Sequence, residues 1–278
     1  MEESLLFVPE RKIGMEYKKN LFTVEDGIGI ISMNYPKNLN AIDMDMAEEL
    51  LALLNECENN PEVKVVVIRT AGKAFSAGGD IGYFYDNIKA GGDLNMDDLI
   101  EKAGQVSLHI KKMSKMVIPS VLGAAAGAGA NLALSGDFVV CAENVKFIQA
   151  FINLGLVPDT GGTYLLSKTI GPARAMELCA TGRPLTAAEA KEWGLIYQVC
   201  PKEELEEATM KLAKKLTRGP LVAYGQLKKQ FFEANYADYA RYLAEGEVPT
   251  QSVCIASEDF KEGVRAFIEK DKPNFKGE

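Results

Sequence analysis

The run Met116-Val-Ile-Pro-Ser-Val-Leu-Gly-Ala-Ala-Ala-Gly-Ala-Gly-Ala-Asn-Leu-Ala-Leu-Ser-Gly136 is the longest uncharged stretch of the chain. It is long enough to raise the question of a membrane span, but Pro119, Asn131 and four glycines interrupt it. The reading that fits is a buried strand over residues 117–122, a glycine turn, and a short buried helix over about 131–135. Working outward, helical periodicity over 100–113 precedes this strand, and short strands are expected at 138–141 and 146–148. Upstream, two short strands at 22–25 and 28–34 are joined by a turn at Gly27. An amphipathic helix over 42–58 then leads into a β-branched run at 63–69 bounded by Pro61 and Gly72. Strands alternating with helices predict an α/β fold. Beyond Ala173 the pattern turns helical, over 173–178, 187–193, 203–216, 221–235, 236–257 and 258–270.

Composition narrows the function classes. A chain of 278 residues, 47% hydrophobic and 25% charged, is built like a soluble globular protein with a sizeable core. Its formal net charge of -8 disfavours nucleic acid and anionic membrane surfaces as partners, and the charged stretch 202–215 reads as a solvated helix face. Five scattered cysteines without a CxxC pair indicate neither a disulfide framework nor a zinc site, so a reducing cytoplasm is expected. His109 is the single histidine, which argues against metal sites built on several imidazoles and is read as a surface or satisfied helix histidine. No GxSxG elbow accompanies it to suggest a Ser-His-Asp triad. Residues 1–19 read as a loose leader without a secretory h-region, 20–210 as the core domain, and 211–278 as a C-terminal helical region suited to oligomer formation.

Two glycine-rich junctions follow strands: Lys73-Ala-Phe-Ser-Ala-Gly-Gly-Asp-Ile81 and Gly123-Ala-Ala-Ala-Gly-Ala-Gly-Ala-Asn-Leu-Ala133. Small residues at a helix start leave backbone N–H groups unpaired beside a positive dipole end. Two such junctions could aim two donors at one oxygen, forming an oxyanion hole for a thioester or ester carbonyl. Each alone reads first as a packing turn, and neither carries the P-loop or GxGxxG pattern. A third segment, Asn153-Leu-Gly-Leu-Val-Pro-Asp-Thr-Gly-Gly-Thr163, places Asp159 in a turn before an apolar helical stretch. Taken alone, Asp159 there is a helix cap or Asx-turn residue.

Together and in this order, the three segments resemble the crotonase (enoyl-CoA hydratase/isomerase) superfamily, with likeness running from about Leu21 to Phe275. Asn34-Tyr-Pro-Lys-Asn-Leu-Asn-Ala41 is similar to its early substrate-side loop. Thr181-Gly-Arg-Pro-Leu-Thr-Ala-Ala-Glu-Ala190 and Trp193-Gly-Leu-Ile-Tyr-Gln-Val199 are similar to its helical region. The resemblance implies a crotonase-type superhelix of stacked β-β-α turns with a C-terminal helical region. It implies oxyanion donors at the backbone N–H groups of Gly79 and Ala128, and a substrate loop of Ser76, Ala77, Gly78, Asp80 and Ile81. It further implies a CoA or acyl-carrier-protein thioester with its nucleotide end near the Ser76–Ile81 loop, a homotrimer or hexamer, and a C-terminal segment around Lys272 and Phe275 that completes a neighbour's site. No separate cofactor, metal or membrane span is expected.

Departures from the family pattern set the expected chemistry. The family's hydratases use two glutamates to activate water, and these positions read Asn131 and Phe151, which are expected to line the substrate site. Asp159 remains as the proton carrier. One carboxylate suffices for a 1,3-proton shift in which the oxyanion hole holds a dienolate, and an apolar wall would raise its basicity. This pattern resembles two branches, the enoyl-thioester isomerases of fatty-acid metabolism and the ring-1,2-epoxyphenylacetyl-CoA isomerases. An enoyl-CoA hydratase and a non-catalytic acyl-thioester-binding subunit stand behind them, and an aryl-CoA dehalogenase lacks a matching histidine and tryptophan.

Overall fold

The structure is a computed structural model and describes residues 17–91 and 94–278. Residues 1–16 of the expected leader lie outside the described residues. The larger sheet contains β1 (Asn20–Glu25), β2 (Ile28–Met33), β3 (Val65–Thr70), β4 (Met116–Val121), β6 (Val140–Ala142) and β9 (Gln198–Cys200), in the order β1-β2-β3-β4-β6-β9. β1 pairs antiparallel with β2 across the Asp26-Gly27 turn, and every later pairing is parallel. β2 and β4 are buried along their whole length, as expected of parallel strands covered by helices.

Helix α1 (Met44–Asn59) starts where Asp43 Oδ1 accepts the Met46 N–H at 3.0 Å. It buries Met46, Leu50, Leu53, Leu54 and Cys57, the apolar face that its periodicity predicts. Each fully buried leucine of that kind contributes about 1.5–3 kcal/mol. α2 (Ile81–Lys89) leaves the first glycine-rich junction, and α3 (Asp97–Lys112) runs alongside α1.

The long uncharged run divides into β4, then β5 (Ala124–Ala126), then α4 (Ala128–Leu134). The expected glycine turn therefore contains a strand, and the helix begins at Ala128 rather than near Asn131. β5 belongs to a second sheet with β7 (Lys146–Ile148) and β8 (Pro184–Thr186), in the order β5-β7-β8. α5 (Gly162–Ile170), α6 (Pro172–Thr181) and α7 (Ala187–Glu192) follow, and α8 (Leu205–Thr217) packs on β3, β4 and β6. α9 (Leu221–Asn235) leads to the C-terminal helices.

The segment read as one helix over 236–257 is divided. It comprises α10 (Tyr239–Tyr242), a π-helical turn (Leu243–Glu247) and α11 (Val248–Ile255), before α12 (Glu258–Glu269). His109 lies on α3, and its buried Nε2 has no hydrogen-bond partner among the described residues. Burial pushes the imidazole pKa down. Among the described residues no helix is long and apolar enough to cross a membrane.

Candidate active site

The two glycine-rich junctions meet. Ser76 N–H donates to the Ala124 carbonyl at 3.2 Å, and Ala126 N–H donates to the Ser76 carbonyl at 3.0 Å, stitching the first junction to β5 as a parallel bridge. The early loop joins them, since Ala77 N–H reaches Leu39 at 3.0 Å and Ile42 N–H reaches Gly78 at 2.7 Å. Asn40 supports this loop from below, its Nδ2 donating to the Ala74 and Phe75 carbonyls at 3.2 Å each. Gly129 allows the close approach, because a Cβ there would stand 2.5 Å from the Ser76 side chain.

These pairings use the N–H groups of Ile42, Ser76, Ala77, Ala126 and Gly127 and leave those of Gly79 and Ala128 without a protein acceptor among the described residues. Ala128 is the first residue of α4, so its N–H has no partner within the helix. Gly79 and Ala128 line one cavity of about 130 Å³. Apolar residues of α2, α3 and the 3-10 turn Ala150–Leu154 form most of its wall, including Phe84, Leu99, Ile100, Phe151 and Leu154. Among the described residues, Asp159 is the one ionisable side chain that lines it.

The turn carrying Asp159 is tightly held. Asn131 Nδ2 donates to the Asp159 carbonyl at 2.7 Å, while Gln149 Nε2 donates to Asn131 Oδ1 at 2.8 Å. The Asp159 carboxylate accepts from Thr160 Oγ1 at 2.9 Å and from Gln251 Nε2 at 3.3 Å. Gly161 is required at φ 79°, where a Cβ would stand 1.6 Å from the buried Tyr239 hydroxyl oxygen. Burial pushes the Asp159 pKa up to about 6, against the opposing pull of the Thr160 and Gln251 hydrogen bonds. Such a group is ionised near neutrality yet basic enough to take a carbon-bound acidic proton.

The expected contacts divide. Ala77, Gly78, Ile81 and Phe151 line the cavity with Gly79, Ala128 and Asp159. Ser76 is fully buried behind the loop, its Oγ donating to the Asn40 carbonyl at 2.8 Å. Asp80 caps α2 by accepting from Tyr83 N–H at 3.1 Å, and it also accepts from Asn38 Nδ2. Asn131 does not line the cavity, because both ends of its amide are spent on the Asp159 turn and Gln149.

Lys272 and Phe275 lie on an exposed tail beyond α12, away from this cavity. That tail folds back on α12, with Asn274 N–H bonded to Glu262 and Lys276 N–H to Asp259. Phe267 of α12 lines the cavity as well. Sequence reasoning also missed Gln251 and a second buried carboxyl at Glu247, which accepts the Gly161 N–H at 2.9 and 3.1 Å. Their signal was faint, a polar residue one helical turn from another in an otherwise unremarkable helical stretch.

Residues 23–278 match the sequence profile of the family described as Enoyl-CoA hydratase/isomerase. The chain belongs to the enoyl-CoA hydratase/isomerase family. It is 35% identical to a trans-2-decenoyl-[acyl-carrier-protein] isomerase of Streptococcus mutans over 263 residues, covering 95% of this chain and 100% of the relative. It is 37% identical to a 1,2-epoxyphenylacetyl-CoA isomerase of Escherichia coli over 258 residues, covering 91% and 97%. A solved enoyl-CoA hydratase from Mycobacterium avium subsp. paratuberculosis superposes with a TM-score of 0.85 at 32% identity, covering 94% of this chain and 100% of the other. The crotonase fold and the α/β class with a helical C-terminal region are thereby shown, and the chain is an enzyme of this family.

Proposed function

We propose that this enzyme moves a carbon–carbon double bond between the 3 and 2 positions of an enoyl thioester. Asp159 takes the proton from carbon 2 of a 3-enoyl group, breaking that C–H bond. The electron pair shifts toward the thioester oxygen, which receives the Gly79 and Ala128 N–H groups, and a dienolate results. Asp159 returns the proton to carbon 4, leaving the 2,3 double bond. The charge and the proton are conserved, and no co-reactant is consumed. The observation that carries this reading is one ionisable side chain in an apolar cavity that is also lined by Gly79 and Ala128, whose backbone N–H groups have no protein acceptor among the described residues.

A second reading, the isomerisation of an aryl-epoxide thioester, is favoured by the similarity to the Escherichia coli relative. The same carboxylate and donors would serve it. Purified enzyme is therefore given 3-enoyl thioesters of CoA and of acyl carrier protein, and an aryl-epoxide CoA thioester, with conjugation followed by ultraviolet absorbance. In deuterated water, mass spectrometry reads solvent deuterium entering the acyl group. Turnover of the linear substrates with loss of at least about 10²-fold in Asp159→Asn is expected. An unchanged rate in that variant sinks the assignment, and turnover of the epoxide alone selects the second reading.

A further inference from the structure

Outside the cavity lining, the far end of the chain supplies a second carboxyl group to the Asp159 turn. Glu247, 1% exposed, ends the π-helical turn between α10 and α11, and both its oxygens accept the Gly161 N–H. One helical turn later Gln251, fully buried, spans the same loop. Its Nε2 donates to Asp159 Oδ2 at 3.3 Å, and its Oε1 accepts the Val157 N–H at 3.0 Å. The chain on each side of Asp159 is therefore tied to one short helical segment. π-Helical turns are rare and concentrate at functional sites. A buried carboxyl is expensive to retain for packing alone.

We propose that Glu247 and Gln251 are positioning residues for the proton shuttle, fixing the plane of the Asp159 carboxylate and coupling its charge to that of a second buried carboxyl. This rests on the reading of Asp159 as the proton carrier. The groups that face Glu247 are Asp159 and the 160–161 backbone from the turn, Tyr239 and Tyr242 from α10, Gly104 from α3 and Gln251 from α11. Burial, and after it the Glu247 charge, pushes both tyrosines up, so they stay neutral over the working range.

Burial and then the Asp159 charge push Glu247 up to about 8, opposed by the Gly161 and Thr160 N–H groups. With Asp159 at about 6, the pair carries one negative charge, on Asp159, between those two values. A second charge appears only above about 8. There it opposes the dienolate charge developing across the cavity. The expected kcat profile therefore rises through the lower value and falls above the higher one.

The test measures kcat and KM against pH for the wild-type enzyme, Glu247→Gln, Gln251→Met and Asp159→Asn. Glu247→Gln is isosteric with the neutral acid, so it keeps the acid limb and loses the alkaline fall. Gln251→Met removes a hydrogen bond that favours the charged form of Asp159. Its acid limb moves up by about half to one pH unit, with kcat reduced about tenfold and KM little changed. Profiles in both variants that superimpose on the wild type, with Asp159→Asn inactive, overturn the proposal. Full activity in Asp159→Asn would instead overturn the reading beneath it. Should Gln251→Met fail to melt cooperatively, the alkaline limb of Glu247→Gln decides alone.

Discussion

Replacing Asp159 by asparagine is expected to stabilise the protein at alkaline pH while abolishing turnover. The carboxyl pKa rises from 3.8 to about 6 on folding, with burial as the first cause. A carboxyl whose folded pKa lies above its unfolded value contributes fully below the unfolded value and loses that contribution as pH rises through the folded one. Keeping Asp159 ionised at pH 8 therefore costs about 3 kcal/mol, at about 1.4 kcal/mol per unit. Asparagine removes this cost. It also exchanges two hydrogen bonds to a charged acceptor for neutral ones, the amide oxygen facing Gln251 Nε2 and the amide N–H donating to the Thr160 hydroxyl, at a cost of about 1 kcal/mol. The net gain of about 2 kcal/mol corresponds to a Tm increase of roughly 4–8 °C for a chain of this size. Calorimetry of both proteins at several values between pH 4.5 and 8.5 measures it as a difference in Tm that grows with pH. A constant difference, or a variant less stable at pH 8 than at pH 5 relative to wild type, would refute the account of a carboxylate held ionised against burial.

Three further outcomes follow from the site. Phe151→Ala opens the apolar wall beside Gly127 and admits water, so the acid limb of the kcat profile should move down toward the ordinary carboxylate range, with kcat falling about tenfold. A profile that keeps its limb near the wild-type value counts against that wall as the cause. Gly129→Ala presses a methyl group against Ser76 and should cost about 1–3 kcal/mol in denaturant unfolding, with a matching loss in kcat as the two junctions separate. Asn131→Glu, which places a glutamate where the family resemblance expects one, should lower isomerisation without producing hydrated product by mass spectrometry. Appearance of a 3-hydroxyacyl thioester would show that the site retains hydratase geometry.

Much of the fold is legible because its periodicities are local. The apolar face of α1, the β-branched β3 and the broken uncharged run around β4 each state their own structure within a few residues. β5 was missed because three alanines between glycines carry no strand preference, and their pairing partner β7 lies some twenty residues on. Helix α2 was missed behind the glycine junction, although Asp80 is a regular cap for it. Asp159 drew attention through its motif, but its environment did not. Glu247 belongs to a stretch, Leu-Ala-Glu-Gly-Glu-Val, that reads as a solvated helix surface. In the structure that glutamate sits in the π-helical turn with both oxygens on the Gly161 N–H, a partner 86 residues away along the chain that no local pattern announces.

Asn131 shows why replacing one family glutamate affects more than the loss of an acid. Its side-chain amide donates to the Asp159 carbonyl and accepts from Gln149 in the same arrangement. An ionised glutamate can only accept, so in this place it would leave the Asp159 carbonyl without its donor and bring a second carboxylate toward the turn. The site already holds two buried carboxyl groups, Asp159 and Glu247, and near neutrality only Asp159 is ionised. A third would favour protonation of Asp159 near neutrality and remove the base that the proposed shift requires. An amide at this place thus does two things in the proposed isomerase: it offers no proton-transfer group from the α4 side, and it secures the backbone of Asp159. The shift from two-glutamate hydration to a single-aspartate shuttle is, in this reading, one coupled change in hydrogen-bond capacity, with the Gly161 approach to Tyr239 and the Glu247 bond to its N–H holding the other end of the turn.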